Sequence, residues 1–207
     1  MAFIKRQPAE PVNQDERKQP RDCASLALRL SAPDATARRW AARDLAECPG
    51  ASIPLVARLA IEPEVSVREV ILTTLTRIGD DHAVAGLVEC LRSEDAALRN
   101  EAIDAMKQLP DEVAPLMHGL LHDADPDVRI FTVNILESLC HPEVEAWLIE
   151  VIEQDPHVNV CATAVDLLGE VGTSSARTAL LNLKGRFQDE PFVQFAADLA
   201  LRRINAD

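Results

Sequence analysis

A period of about thirty residues runs through this chain, and a fixed period of that length excludes most folds before any single element is assigned. The clearest copy is EPEVSVREVILTTLTRIGD, from Glu62 to Asp80. The same ungapped frame fits APDATARRWAARDLAECPG from Ala32, SEDAALRNEAIDAMKQLPD from Ser93, DADPDVRIFTVNILESLCH from Asp123 and DPHVNVCATAVDLLGEVGT from Asp155. With a degenerate end it also fits QDEPFVQFAADLALRRIN from Gln188.

Within this frame Ala37, Val67, Leu98, Val128, Val160 and Val193 share one column. Leu45, Leu75, Met106, Leu136, Leu168 and Leu201 lie eight residues on, and Cys48, Ile78, Leu109, Leu139, Val171 and Ile204 three further. Offsets of eight and eleven fall on one side of a helix, so each copy predicts a helix with a buried stripe. Pro33, Pro63, Pro126, Pro156 and Pro191 sit at or just before the helix starts, where a missing N–H costs little, and Gly50, Gly79 and Gly172 follow the ends. Between these helices lie shorter apolar segments around Cys23 to Leu30, Ile53 to Leu59, Val84 to Leu91, Val113 to Leu121, Val144 to Ile152 and Ala176 to Leu183. The unit is therefore a helical hairpin, which cannot bury its apolar face alone and must stack on its neighbours. The expected fold is all-α: a right-handed α-solenoid of about six two-helix repeats over residues 22–207, preceded by a flexible N-terminal tail at residues 1–21.

The second helix of the repeat, Val67-Arg68-Glu69-Val70-Ile71-Leu72-Thr73-Thr74-Leu75-Thr76-Arg77-Ile78-Gly79, closely resembles that of the HEAT-like repeats of phycobilisome lyases, in the armadillo-like helical superfamily. The resemblance covers roughly residues 22 to 205. It implies architecture and says little of activity, because such repeats occur in bilin lyases, iron-dependent hydroxylases, DNA glycosylases and many adaptors.

Composition narrows these classes. The 34 acidic against 21 basic residues give a net charge of -13, which repels a phosphate backbone, so no nucleic acid partner is expected. The glycosylase type needs a basic face with aromatic side chains to hold an extruded base, whereas aromatics here are only 3%. Trp40 and Trp147 are read as packing residues, Trp40 in a core-side column. The hydroxylase type ligates iron through adjacent His-Glu pairs, and no His-Glu dipeptide occurs. No run approaches the roughly 18 apolar residues of a membrane span, so no membrane association is expected and the chain is placed in the cytoplasm. Cys23, Cys48, Cys90, Cys140 and Cys161 are odd in number and widely spread, which predicts reduced thiols rather than a disulfide frame or a zinc site.

An acid followed four residues later by an arginine recurs at the corners: Asp34 with Arg38, Glu64 with Arg68, Asp95 with Arg99, Asp125 with Arg129. The acid suits a helix start, and the arginine fork can reach a neighbouring corner, which makes a ladder between stacked repeats rather than a ligand site. The fifth repeat breaks it with His157 and Cys161. Both residue types ligate metals or do nucleophilic chemistry, and a helix start would lower a thiol pKa; the plainer reading is a neutral pair in place of an ion pair. The sixth repeat keeps only Gln194 at the arginine position. His118 and His122 share a helix face, but Gly119 stands where a zincin motif needs glutamate, so they are read as solvent-facing.

No catalytic, cofactor-binding or metal residues are assigned. Projecting the second helices away from the first-helix layer points to Arg39, Arg43, Glu69, Thr73, Asn100, Asp104, Ile130, Asn134 and Asp166 as a partner-binding surface. Ile130 is its expected exposed apolar anchor. The apolar row Leu72, Ile103, Val133 and Val165 is read first as contact between stacked second helices. The function this supports is a non-enzymatic interaction module or adaptor, monomeric or weakly oligomeric, holding a basic or amphipathic protein segment on the concave face of the second helices without a cofactor. The resemblance implies an alternative, a bilin-lyase-like enzyme or cofactor chaperone.

Overall fold

The computed structural model describes residues 22–204; the tail expected at residues 1–21 and the last three residues lie outside them. Among the described residues every regular element is helical: α1 (Cys23–Arg29), α2 (Ala35–Asp44), α3 (Ser52–Leu59), α4 (Val65–Ile78), α5 (Asp81–Cys90), α6 (Ala96–Met106), α7 (Pro110–Leu121), α8 (Pro126–Leu136), α9 (Val144–Gln154), α10 (Val158–Val171), α11 (Arg177–Arg186) and α12 (Pro191–Ile204), with short 3-10 turns at Leu45–Glu47 and Ser174–Ala176. None is long and apolar enough to cross a membrane.

The corner acids start these helices. Asp22, Asp34, Asp80, Asp95 and Asp125 each accept a backbone N–H of the following first turn, satisfying donors that have no partner within the helix. Gly79 ends α4 in the left-handed region, with φ 59°, a conformation that a side chain would strain.

Even-numbered helices form one row, α2 on α4, α4 on α6, α6 on α8, α8 on α10 and α10 on α12. In the odd-numbered row α3 packs on α5, α5 on α7 and α9 on α11, while α7 and α9, like α1 and α3, are packed more loosely. This is an α-solenoid of helical hairpins, and the sequence columns form its core. Val67, Val128, Val160, Leu75, Met106, Leu136 and Leu168 are almost wholly buried between the rows. Each such side chain contributes about 1.5–3 kcal/mol relative to exposure. The third column is weaker: Leu109, Leu139 and Ile204 are buried, but Val171 at the end of α10 is exposed.

One packing expectation is corrected. Trp40 is 39% exposed, with the Arg43 guanidinium 4.0 Å over its ring, because α2 belongs to the first hairpin and no preceding second helix covers that face. Trp147, by contrast, packs against the core as expected, half-buried and stacked on His141 at 5.0 Å.

The reduced-thiol expectation is also corrected, since Cys23 and Cys48 form a disulfide with a Cα separation of 5.6 Å. Folding of α1 against the turn after α2 brings the two together, a proximity that their spacing of 25 residues does not signal. Cys90, Cys140 and Cys161 are free thiols. A loop of this length removes about 3.5 kcal/mol of unfolded-state entropy in the chain-entropy model, of which real bridges deliver part. Cys23→Ser is expected to lower unfolding stability by about 2 kcal/mol in a urea titration, with a reductant producing the same loss in the wild type and none in the variant.

Candidate functional site

The joints between repeats decide what is left free on the surface. Arg38 donates from Nη1 to the carbonyls of Ala32 and Pro33 in its own corner, at 3.0 and 2.9 Å. Its Nε and Nη2 then reach Glu62 of the next repeat, at 2.8 and 2.7 Å. Arg129 repeats the geometry, donating to Asp123 O at 2.8 Å and to both oxygens of Asp155 at 2.6 and 3.0 Å. Arg68 reaches Asp95 at 2.8 Å, whereas Arg99 holds Ser93 O at 2.6 Å and lies over the Phe131 ring. The ladder thus consists of forks that clamp one corner to the next. Its forward acids Glu62 and Asp155 stand two residues before the expected corner acid. Sequence inspection misses them because the partner arginine lies 24 and 26 residues away.

At the fifth corner Cys161 is fully buried and its thiol donates to Asp155 O at 3.3 Å. Burial, outweighing the attraction of Arg186, pushes the thiol up to about 11. The expectation of a lowered thiol pKa is therefore corrected: desolvation overrides the helix start, and such a thiol is inert at neutral pH. His157 begins α10 without capping it, and its Nδ1 is buried with no hydrogen-bond partner. The arginine function comes instead from Arg186 at the end of α11, which donates to Ile152 O and Glu153 O at 2.6 and 2.7 Å and also to Asp155 O. Gln194 performs the same task in the last repeat, bonding Lys184 O and Phe187 O at 2.8 and 3.0 Å.

Three clefts follow one another along the second helices. Glu69, Leu72, Thr73, Glu101, Asp104 and Gln108 line the one between α4 and α6, of about 410 Å³. Asn134, Glu137, Thr163, Asp166 and Glu170 line that between α8 and α10. The third, between α10 and α12, shares Asp166 and Glu170 and adds Gly169, Leu199 and Arg203. Of the residues projected from sequence, Glu69, Thr73 and Asp104 come together in the first cleft, and Asn134 with Asp166 in the second. Arg39, Arg43 and Asn100 are exposed outside these clefts, with Arg43 paired to Asp44 at 2.9 Å.

Ile130 is half-buried and packed against the core, so it is no exposed anchor; the close stacking of the second helices covers it. The apolar row is likewise closed, with Leu72, Ile103, Val133 and Val165 no more than 6% exposed. Glu101, Glu137 and Glu170 were not anticipated. Glu137 and Glu170 lie about one helical turn beyond the projected positions on the same face, which an extended projection would have reached.

The clefts carry an excess of negative charge, with Arg203 near Asp166 the cation in the third. Desolvation raises the Glu101 carboxyl pKa against the lowering effect of Arg68, and its Oε2 is buried without a partner. Desolvation, then repulsion from Glu170, raises that of Asp166. Glu137 is bonded to Lys107 at 2.9 Å and Arg77 pairs with Glu47, so those charges are already answered. Among the described residues, one group has donor atoms that converge as metal ligands would: His118, His122 and Glu150, on the opposite row of helices.

The sequence profile of a family described as HEAT repeats matches residues 24–107 and 113–202. Among solved structures, the chain is similar to human deoxyhypusine hydroxylase in complex with glycerol, at 17% identity over 89% of this chain and 85% of that one, TM-score 0.45. It is similar to the complex of CpcE and CpcF of phycocyanin lyase from Nostoc sp. PCC7120, at 18% identity over 99% of each chain, TM-score 0.39. A designed armadillo repeat protein in complex with the peptide (KR)4 matches at 20% identity over 88% of this chain and 99% of that one, TM-score 0.42. A comparison with curated proteins finds no match.

Proposed function

The chain belongs to the HEAT repeat family, and from that premise we propose that it is a protein-interaction module that receives a basic, helical or extended segment of a partner along the clefts between its second helices. The observation that carries this reading is the excess of carboxylates over cations, Glu69, Glu101 and Asp104 in one cleft and Asp166 and Glu170 in the others, against Arg203 in the third. Glu101 and Asp166 are held above the usual carboxylate range by desolvation. A lysine or arginine side chain entering there supplies opposite charge and favours the ionised form, so part of the binding energy comes from relieving an existing penalty.

Leu199, exposed beside Asp166 and Glu170 in the third cleft, matches the aliphatic stem of such a side chain. Ile130 contributes to packing in this reading, so Ile130→Ala reduces stability and leaves affinity unchanged. Fluorescence anisotropy with a labelled Lys/Arg-rich amphipathic peptide tests the proposal. Asp166→Asn and Glu101→Gln should each weaken binding by about 5-fold or more at low salt, and raising salt should weaken the wild type similarly. Equal affinity of the wild type and the combined Glu101→Gln, Asp104→Asn, Asp166→Asn variant, or equal affinity for an acidic control peptide, overturns it.

A further inference from the structure

The odd-numbered row is loosely packed between α7 and α9, and three ligand-bearing side chains meet there. His118 and His122 extend from the last turn of α7, with ring centroids 4.6 Å apart. Glu150 projects from α9, placing Oε1 3.3 Å from His122 Nε2. One donor atom from each of the three residues lies within 4.8 Å of the other two. Tetrahedral zinc with bonds of ~2.0–2.2 Å to nitrogen and oxygen spaces its ligands about 3.3 Å apart, so His122 and Glu150 already stand at ligand spacing.

Two further features suit a bound cation. His122 Nδ1 lies 2.8 Å from His118 O, a contact that as a donated hydrogen bond places the proton on Nδ1 and turns the Nε2 lone pair toward Glu150. That is the orienting contact metal-bound histidines ordinarily have. The group also sits at the C-terminus of α7, the negative end of the helix dipole, where His122 is the C-cap. Nearby cationic charge is already consumed, since Arg129 is clamped on Asp155 and Arg92 on Asp123. His122 and Glu150 line an open cleft of about 270 Å³, which leaves room for water to complete the coordination.

We infer that His118, His122 and Glu150 form a binding site for a divalent transition metal of the zinc class, clasping the fourth hairpin to the fifth where their first helices are loosely packed. Two imidazoles and one carboxylate suit zinc, cobalt or nickel, and magnesium or calcium poorly. The site lies on the row opposite the acidic clefts and does not depend on the proposed partner binding.

Zinc titration against a fluorescent chelator tests this on the full chain with Cys140→Ser, which removes the one exposed free thiol. One saturable site is expected, weakened about 10-fold or more by either His122→Ala or Glu150→Gln. Cobalt should give d–d bands without thiolate charge transfer. Saturating zinc should raise the Tm of the parent by about 5 °C and leave that of His118→Ala unmoved. All three side chains are exposed or half-exposed, so the variants should keep the parent's circular dichroism. Absence of saturable binding, or equal binding by the parent and the His122→Ala and Glu150→Gln variants, overturns the inference.

Discussion

Glu62→Ala is expected to cost the solenoid about 3–5 kcal/mol, the largest loss of any single polar substitution in it, because it strips the buried Arg38 and the partly buried Arg58 of one shared carboxylate. The Glu62 side chain has no solvent exposure. It accepts from Arg38 at both oxygens, from Arg58 Nε at 2.7 Å, and from the Glu64 backbone N–H at 3.0 Å. Removing it leaves the Arg38 guanidinium buried with only the carbonyls of Ala32 and Pro33 to answer it. Urea unfolding at neutral pH measures the loss. Arg58→Ala should cost less, since that arginine can turn to water.

The same residue sets an acid sensitivity. Burial alone would raise the Glu62 carboxyl, but the hydrogen bonds from Arg38 and Arg58 outweigh it and hold the group at about 2, against 4.5 when unfolded. A depressed folded-state value contributes stability that is fully present above the unfolded value, here about 3 kcal/mol. That contribution disappears as pH falls from 4.5 toward 2. The wild type should therefore lose about this much more stability than Glu62→Gln between pH 6 and pH 2.5. Parallel stability–pH curves for the two proteins would show that Glu62 does not carry the effect.

Much of this architecture is legible in the sequence for a simple reason. Val67, Leu75 and Ile78 have counterparts in every copy at helical spacing, so the pattern that buries them also announces them. The corner aspartates are equally plain, since a cap is a local interaction between residues two or three apart. What the sequence conceals is contact between repeats. Glu62 and Glu64 stand in the same corner, and only stacking decides that the first takes Arg38 while the second begins α4. The Cys23–Cys48 bridge, the partial covering of Ile130 and the approach of Glu150 to His122 depend on the same neighbour geometry. Of the candidate site, the facing of Glu69, Thr73, Asp104 and Asp166 followed from helix projection, whereas grouping them into clefts required the spacing between helices.

Restoring the ladder arginine by Cys161→Arg should destabilise the protein by about 3 kcal/mol or more, although arginine is the residue four other repeats carry at this place. The cysteine is fully buried, and the carbonyl an arginine would use there, Asp155 O, is already bonded by Arg186 from α11. A second guanidinium would enter a filled space beside a like charge while Asp155 remains committed to Arg129. Arg186→Ala should itself cost about 1–2 kcal/mol, because it releases the carbonyls of Ile152, Glu153 and Asp155 at the end of α9. Combined with Cys161→Arg, however, it vacates those carbonyls for the new side chain, and the double variant should be more stable than Cys161→Arg alone. A double-mutant cycle by urea unfolding should give a favourable coupling of about 2 kcal/mol or more. Strict additivity would mean that Arg186 bonds these carbonyls without replacing the ladder arginine. A large coupling would mean that the fifth joint is the same clamp built from the following repeat, and that Cys161 is buried there because the arginine's place is taken.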